Sequence, residues 1–186
     1  QQLSAWHEQG LRGFRIAINL SMLQLLRGEI ELEILGLLER YKLPGEVLEL
    51  ELTESMVMAN PEQSIRILDS LAGHGIGIVV DDFGTGYSSL AYLKKLPIEK
   101  LKIDKSFIRD IGRDADGGTI VNIVIALAHV LNLRAIAEGV ETEEQKQFLA
   151  SNGCDEIQGF LLTRALPPEE LAAWIRQHRA ADWAGS

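Results

Sequence analysis

Short apolar runs alternate with longer helical patterns along the whole chain, and this order restricts the possible folds more than any other feature. The runs are rich in Ile, Val and Leu, as buried parallel strands are. Six strands are predicted in this way: Arg15–Leu20, Val47–Leu52, Ile76–Asp82, Lys100–Ile103, Arg134–Glu138 and Glu156–Leu161. Since a helical pattern follows each strand, the chain is predicted to form parallel β/α units joined by right-handed crossovers.

Several helices have recognisable ends in the sequence. Asn60-Pro61 combines an N-cap with a first-turn proline, and Thr142–Gln145 has the form of a capping box. Pro167 and the residues after it predict the start of the last helix. The segment Thr119–Leu131 is apolar nearly all round, which predicts a well-buried helix.

Two architectures fit this order, an open doubly wound sheet and a (β/α)8 barrel. An open sheet concentrates its site at one switch point, whereas a barrel mouth receives side chains from the carboxyl ends of all its strands. Every predicted strand has a polar residue in its last positions or just beyond them: Asn19, Glu51, Asp81, Asp82, Lys102, Glu138 and Gln158. We therefore predict a modified TIM-like barrel, of which about six βα units are present. Because a typical barrel needs about 250 residues, the remaining pair of strands is expected before Gln1.

The charge balance narrows the possible partners. The chain has 27 Asp and Glu against 18 Lys and Arg, a formal net charge of −9. Capture of a nucleic acid polymer or of an anionic membrane requires a basic surface, so neither partner is expected. The single cysteine, Cys154, cannot form an internal disulfide and is predicted to be a packing residue.

The strand-end carboxylates predict a site for hard cations. In Val47–Thr53 the leucines alternate with Glu49, Glu51 and Thr53, so the two carboxylates are expected to face the barrel interior. A buried carboxylate without a partner is costly, and Asp, Glu and Asn oxygens are preferred ligands of Mg²⁺ and Mn²⁺. The four histidines are scattered along the chain, so a zinc site is not expected.

The densest motif is Asp81–Leu90, with sequence DDFGTGYSSL. Two adjacent carboxylates cannot both face inward under strand alternation unless the strand terminates there, and a pair of metal ions would relieve their repulsion. The glycines permit a tight turn, with Ser88 or Ser89 capping the next helix. Lys102 either forms a structural ion pair with these acids or holds a nucleophilic water or a phosphate oxygen.

Six motifs in series resemble one known family. They are Asn19–Ser21, Glu51–Ser55, Asp81–Gly86, Lys102–Lys105, Glu138–Thr142 and Gln158–Phe160. Together they are similar to the EAL domain family of bacterial cyclic di-GMP phosphodiesterases, and the resemblance runs from about Gln1 to the final helix. It implies a modified (β/α)8 barrel that hydrolyses cyclic di-GMP to linear pGpG with two Mg²⁺ or Mn²⁺ ions.

The resemblance also implies roles for individual residues. The metal ligands would be Asn19, Glu51, bridging Asp81, Asp82 and Glu138. Lys102 would orient the attacking water or help to deprotonate it, and it forms the catalytic group with Asp81 and Glu138. Three further residues would support the site without binding metal directly. Glu54 would anchor the loop Asp82–Leu90, and Asp104 and Glu141 would support the surroundings of the metal ligands. Gln158 would belong to the substrate and water network.

Two departures from the family pattern stand out. The Glu-Ala-Leu signature, whose glutamate is a metal ligand, is absent and is expected on a strand before Gln1. Near the other end, Phe160 replaces the usual tyrosine, Leu162 the second aromatic residue and Ala165 a proline. Phe160 is expected to contact substrate, and these changes are expected to loosen the stacking of guanine.

Alternatives remain open at this point. A degenerate member of the family would bind cyclic di-GMP as a receptor without cleaving it, and a less favoured reading is a different metal-dependent barrel enzyme acting on a carboxylate substrate. The resemblance further implies a homodimer formed through the loop Asp82–Leu90, a cytoplasmic domain, and sensory or GGDEF-type domains upstream in the full-length protein. Membrane anchoring through such segments is compatible with it.

Overall fold

A computed structural model describes residues 1–85, 90–112 and 118–178. Its six strands form one parallel sheet in the order β1-β2-β3-β4-β5-β6, without the reversal that marks an open doubly wound sheet. The strands are β1 Ile16–Asn19, β2 Leu48–Thr53, β3 Gly77–Phe83, β4 Lys100–Ile103, β5 Arg134–Glu138 and β6 Glu156–Gln158. The predicted α/β architecture of successive βα units is therefore confirmed, and strand bounds agree to within one or two residues except in β6.

Helices follow every strand. They are α1 Gln2–Glu8, α2 Met22–Arg27, α3 Ile30–Tyr41, α4 Glu54–Ala59, α5 Pro61–Gly73, α6 Leu90–Leu93, α7 Lys105–Arg109, α8 Thr119–Val130, α9 Glu143–Ser151 and α10 Pro168–Gln177. Asn60 accepts a hydrogen bond from the Gln63 amide as the N-cap of α5, and Thr142 forms both halves of a capping box with Gln145. Both predicted caps are confirmed.

The sheet is curled like part of a barrel wall. Neighbouring strands lie about 4.8 Å apart, so β2 and β6 would be about 19 Å apart in a flat sheet. Yet the Lys100 ammonium on β4 lies 2.8 Å from Glu49 Oε2 on β2 and 2.8 Å from Glu156 Oε2 on β6. Both contacts are possible only if this face of the sheet is concave. The charged face is thus the inner one, as the strand pattern predicts.

The convex face of the sheet packs against the helices. Leu50 and Leu52 of β2 are 0% and 1% exposed and belong to one core cluster with side chains of α5 and α8. The strict alternation in β2 therefore separates an apolar outer face from a charged inner face. This separation aims the strand-end polar side chains at the mouth of the barrel.

Helix α8 differs from its prediction. Val121, Val124, Ile125 and Ala128 are buried, but Ile120, Ile123 and Val130 are 44%, 60% and 79% exposed. The prediction of a well-buried helix was wrong for this second face. A helix packed on only one layer can cover one stripe, and the uniform hydrophobicity of the segment hides which stripe that is.

Strand β6 ends at Gln158, three residues earlier than predicted. The backbone turns at Gly159, where a Cβ atom would lie 2.1 Å from the Val140 carbonyl oxygen. The Val140 amide donates to the Gln158 carbonyl and the Leu161 amide donates to the Val140 carbonyl, both over 3.0 Å. The apolar residues beyond Gln158 thus continue as an anchored turn.

Some sequence predictions fall outside the described residues. These are the helix cap at Ser88 or Ser89, residues 86–89 of the loop Asp82–Leu90, and the tail after the last helix. Within the parts of the chain that the structure describes, no helix combines the length and the apolar character needed to cross a membrane.

Candidate active site

The predicted strand-end residues meet at one edge of the sheet. In the parallel register Asn19 pairs with Glu51, and Glu138 pairs with Gln158. Paired residues of neighbouring parallel strands point to the same face. Asn19 therefore lies beside Glu51 at one side of the concave face, and Gln158 lies beside Glu138 at the other.

Lys102 occupies the centre of this edge. Its Nζ donates to both carboxylate oxygens of Glu51 at 3.1 Å and to Asp81 Oδ2 at 3.4 Å, and it lies 3.9 Å from Glu138 Oε2. Burial alone would lower the pKa of Lys102, but the charges of Asp81 and Glu51 outweigh burial and raise it. These carboxylates therefore favour the ammonium form of Lys102.

Glu51 lies deep in the cluster and is 6% exposed. Burial raises the pKa of this carboxyl group, and the ammonium of Lys102 offsets that rise only in part. Asp81 and Glu49 add repulsion that acts in the same direction as burial. The anionic form of Glu51 is thus under-compensated, and an additional cation nearby would stabilise it.

A β-bulge places two adjacent carboxylates on the same face. Val80 pairs with Leu101 and Phe83 with Ile103, so that Asp81 and Asp82 together oppose the single residue Lys102. Asp82 adopts a left-handed backbone with φ of 52°. Alternation alone would require the strand to terminate at the two aspartates. It instead continues to Phe83, because the bulge accommodates one extra residue.

The bulge creates a group of ligands suited to a divalent cation. Asp81, Asp82 and Glu138 each offer a carboxylate oxygen, and these three oxygens lie within 4.8 Å of one another. Partial burial and repulsion from Asp81 raise the pKa of Asp82, which shows that the arrangement disfavours full ionisation by itself. A closely spaced set of carboxylate oxygens is the donor set that Mg²⁺ and Mn²⁺ prefer, so these residues fit such an ion.

Asp104 borders this group. Its carboxylate accepts hydrogen bonds from the amide, at 2.9 Å, and the hydroxyl of Ser106. Partial burial would raise the pKa of Asp104, but the hydrogen bonds from Ser106 lower it. The charge of Asp104 in turn adds to the repulsion that raises the pKa of Asp82.

Glu54 is the most unusual carboxylate near the site. It begins α4 directly after β2, is 5% exposed, and neither of its oxygens has a hydrogen-bond partner among the described residues. A buried carboxylate without hydrogen-bond donors is rare, because no interaction offsets the free energy lost when its hydration shell is removed. Its predicted partner, the loop Asp82–Leu90, includes residues 86–89, which lie outside the described part of the chain.

Two predicted site residues lie apart from the cluster. Glu141 is exposed, and its backbone amide donates to Gln145 Oε1 at 2.8 Å. Phe160 follows Gln158 and is 62% exposed, with the Arg164 guanidinium 5.3 Å from its ring centre. The ring of Phe160 is thus open to solvent at the mouth, and the contact with Arg164 was not foreseen.

Sequence reasoning missed a second charged layer on the concave face. Glu49 and Lys100 stand two residues before Glu51 and Lys102 on the same strands and are equally buried, at 6% exposure each. Period-two alternation already placed Glu49 inward, and the same rule applied to β4 would have placed Lys100 beside it. The sequence did not show that Lys100 pairs with Glu49, since no sequence rule relates residues of β2 to residues of β4 across an intervening strand.

Cys154 is a packing residue, as predicted. Its thiol is buried, lies 3.3 Å from the Glu156 carbonyl oxygen, and has its pKa raised to about 11, chiefly by burial. Since thiolate is the reactive form, we expect negligible alkylation of Cys154 by iodoacetamide at pH 8 in the folded protein, and complete alkylation in guanidinium. Mass spectrometry of the peptide that contains Cys154 measures both; complete alkylation of the native protein would contradict this burial.

Comparison with protein families gives one match across most of the chain. The family described as EAL domain matches residues 1–165. This range includes every strand and all of the carboxylate cluster. Its end falls one residue after Arg164.

Two curated relatives come from Pseudomonas aeruginosa. The bifunctional diguanylate cyclase/cyclic di-GMP phosphodiesterase MucR is 46% identical over 175 residues, which are 94% of this chain and 26% of MucR. The cyclic di-GMP phosphodiesterase NbdA is 41% identical over 179 residues, 96% of this chain and 23% of NbdA. The chain therefore spans about a quarter of the length of these relatives.

A solved structure agrees with the fold. The PaMucR phosphodiesterase in a c-di-GMP complex superposes with a TM-score of 0.88 at 46% sequence identity, over 91% of this chain and 69% of that one. This agreement supports the assignment of the six strands to a TIM-like barrel wall.

Proposed function

Because this chain belongs to the EAL domain family, we propose that the protein containing it hydrolyses cyclic di-GMP to linear pGpG and so lowers the level of a bacterial second messenger. The observation that carries the proposal is the protonated Lys102 surrounded by Glu51, Asp81 and Glu138 at the mouth of the curled sheet. A phosphodiester is an anion, so a buried ammonium beside carboxylates that can hold divalent metal ions provides the positive charge to bind it. The similarity to MucR and NbdA supports the same substrate.

The metal ligands are proposed from the family resemblance, and the position of these residues at the strand ends supports the proposal. We propose that Asn19, Glu51 and Asp81 hold one Mg²⁺ or Mn²⁺ ion, and that Asp81, Asp82 and Glu138 hold a second. When bound, two such ions neutralise the phosphodiester anion, acidify water and stabilise the departing oxygen. The raised pKa values of Glu51 and Asp82 support this assignment, because both carboxylates lack sufficient positive charge nearby.

Lys102 orients the attacking water. Its ammonium is held by Glu51 and Asp81 and lies 3.9 Å from Glu138, so a hydrogen would become available to a water oxygen or a phosphate oxygen where these carboxylates bind metal ions instead. The resemblance allows two roles for Lys102, orientation of the attacking water and help with its deprotonation, and the proposal includes both. In an in-line displacement the water oxygen bonds to phosphorus while the bond to the 3′ oxygen breaks, which leaves a 5′-phosphate and a 3′-hydroxyl.

Gln158 and Phe160 contact the substrate at the open side of the cluster. Gln158 is exposed and stands beside Glu138 in the register of β5 and β6. Phe160 presents an exposed ring two residues further on, and an aromatic face can stack on a purine base. Glu54 and Glu141 are proposed as supports for the loop Asp82–Leu90 and for the surroundings of the second ion.

Turnover of cyclic di-GMP tests the proposal. We expect the complete protein, with Mg²⁺ or Mn²⁺, to convert cyclic di-GMP to pGpG, detected by chromatography, and to lose this activity in a chelator. A protein that binds cyclic di-GMP in calorimetry without forming product would contradict the enzymatic proposal and favour a receptor. Turnover of a carboxylate substrate alone would favour the third reading of the sequence.

The remaining features of the protein are proposed from the family resemblance. We expect a homodimer whose contacts include the loop Asp82–Leu90, a cytoplasmic location for this domain, and sensory or GGDEF-type domains upstream. The chain is proposed as the C-terminal three-quarters of its domain, with the signature glutamate on a preceding strand. The length of MucR and NbdA beyond the matched region is compatible with further domains.

A further inference from the structure

Six side chains form a closed cycle of alternating charge at the amino-terminal end of the sheet, opposite the active-site edge. In order they are Arg15, Glu49, Lys100, Glu156, Arg134 and Glu99, and Glu99 returns to Arg15. The six nitrogen–oxygen distances run from 2.5 to 3.9 Å. We call this set the amino-end ring. Its three cations balance its three anions, so it adds no net charge beneath the active site.

Lys100 is the buried centre of the amino-end ring. Its side chain is 8% exposed and contacts Glu49, also 8% exposed, and Glu156, which is 29% exposed. Lys100 lies on β4, and its two partners lie on β2 and β6, each two strands away. One ammonium therefore joins two strands that a flat sheet would hold far apart.

The intervening strand β3 leaves room for the ring. Gly77 begins β3, and a Cβ atom there would lie 2.5 Å from Arg15 Nη1 and 3.4 Å from Glu99 Oε2. The Arg15 guanidinium thus crosses β3 over a residue that has no side chain. The contact of Arg15 with Glu99 joins the ends of β1 and β4 in the same way that Lys100 joins β2 and β6.

The active-site layer repeats the arrangement two residues further along the strands. Lys102 on β4 contacts Glu51 on β2, just as Lys100 contacts Glu49, and it approaches Glu138 on β5 on the other side. The two layers lie two residues apart on the same strands, about 7 Å along each strand, so a change in the distance between β2 and β4 at Glu49 and Lys100 would also shift Lys102 relative to Glu51.

We propose that Lys100, held between Glu49 and Glu156, is a positioning residue that sets the Lys102–Glu51 contact and the spacing of the carboxylate ligands. It touches neither substrate nor the reacting atoms. This inference rests on the proposed function, because its effect is measured as turnover. It assigns a role in catalysis to the amino-terminal end of the sheet. Charged residues at that end would otherwise be expected to affect only stability.

The test compares Lys100→Met with Lys100→Arg in the complete protein at saturating Mn²⁺ and substrate. Methionine keeps the length of the side chain but cannot bridge two carboxylates, whereas arginine can. Since misplacement of reacting groups by about 1 Å can cost roughly 100-fold, we expect Lys100→Met to lower kcat about tenfold or more. KM should change less than kcat, and Lys100→Arg should restore most of the rate.

Two further variants separate positioning from loss of folding. Leu149→Ala removes a fully buried side chain of α9, far from the charged face, and gives a destabilised protein that should keep its kcat below its melting temperature. The double variant Glu49→Gln with Lys100→Met leaves no unpaired buried carboxylate at position 49, so it should fold even where Lys100→Met does not. It should show the same loss of kcat as Lys100→Met.

The outcomes distinguish this inference from the proposed function. A kcat within twofold of the unmodified protein in the double variant would overturn the positioning role, as would an equal loss of kcat in Leu149→Ala at matched stability. A lack of turnover in the unmodified protein would instead contradict the proposed function. Normal turnover there, with a specific loss in the Lys100 variants, supports both.

Discussion

Replacing Lys102 with alanine should lower kcat for cyclic di-GMP hydrolysis by about 100- to 1000-fold, the range for losing one preorganised donor from an active site. The Lys102 ammonium is held by both oxygens of Glu51 and by Asp81, so its position is fixed before substrate arrives. No neighbouring cation among the described residues contacts these acids at comparable distance. The measurement is pGpG formation at saturating substrate and Mn²⁺.

A matched control separates this effect from a general change in charge. Lys146 lies on α9 and pairs only with Glu143 of the same helix among the described residues, at 3.4 Å. Because exposed pairs of this kind contribute little, Lys146→Ala should retain full activity. Asp81→Ala should also abolish turnover, since Asp81 belongs to both proposed ion sites. Full activity of either active-site variant would contradict the assigned roles.

Gly159→Ala should destabilise the domain by about 3 kcal/mol or more, at the upper end of the cost of overpacking. The new Cβ atom would lie 2.1 Å from the carbonyl oxygen of Val140 and 2.3 Å from its nitrogen. Both atoms are backbone and cannot move aside alone. The displaced turn carries Gln158 and Phe160, so KM for cyclic di-GMP should rise as the melting temperature falls.

Gly36→Ala is the matched control for this substitution. Gly36 is exposed within α3, and no atom lies within 4 Å of an added Cβ there. Alanine should stabilise the helix by up to about 1 kcal/mol and leave KM unchanged. Calorimetric melting of both variants gives the comparison. An unchanged melting temperature in Gly159→Ala would show that Val140 and the turn can separate without cost.

Much of the site was predictable because parallel strands obey a simple rule. Carboxyl ends of consecutive strands lie at one edge, so polar residues such as Glu51, Lys102 and Glu138 had to converge once the strands were recognised. Alternation in β2 also separated its inner from its outer face correctly. These predictions needed only the period of each strand and the order of strands along the chain.

The features that escaped prediction depend on relations between strands. The bulge at Asp81 and Asp82 is a mismatch in register between β3 and β4, which neither strand shows by itself. The amino-end ring depends on curvature, because Glu49 and Glu156 reach one ammonium only in a curled sheet. The exposed face of α8 likewise depends on which neighbours pack against it. Periodicity carries no information about any of these relations.

The left-handed backbone at Asp82 has a consequence for how such domains diverge. Asn and Gly adopt positive φ at little cost, so either could replace Asp82 without disturbing the bulge. Asp81, in contrast, is buried in the strand and bound to Lys102, so its loss would weaken both the fold and the site. A single codon change to Asn or Gly at position 82 would therefore remove a proposed metal-binding carboxylate and keep the fold of the site. Such a change is one route to a domain that binds cyclic di-GMP without cleaving it.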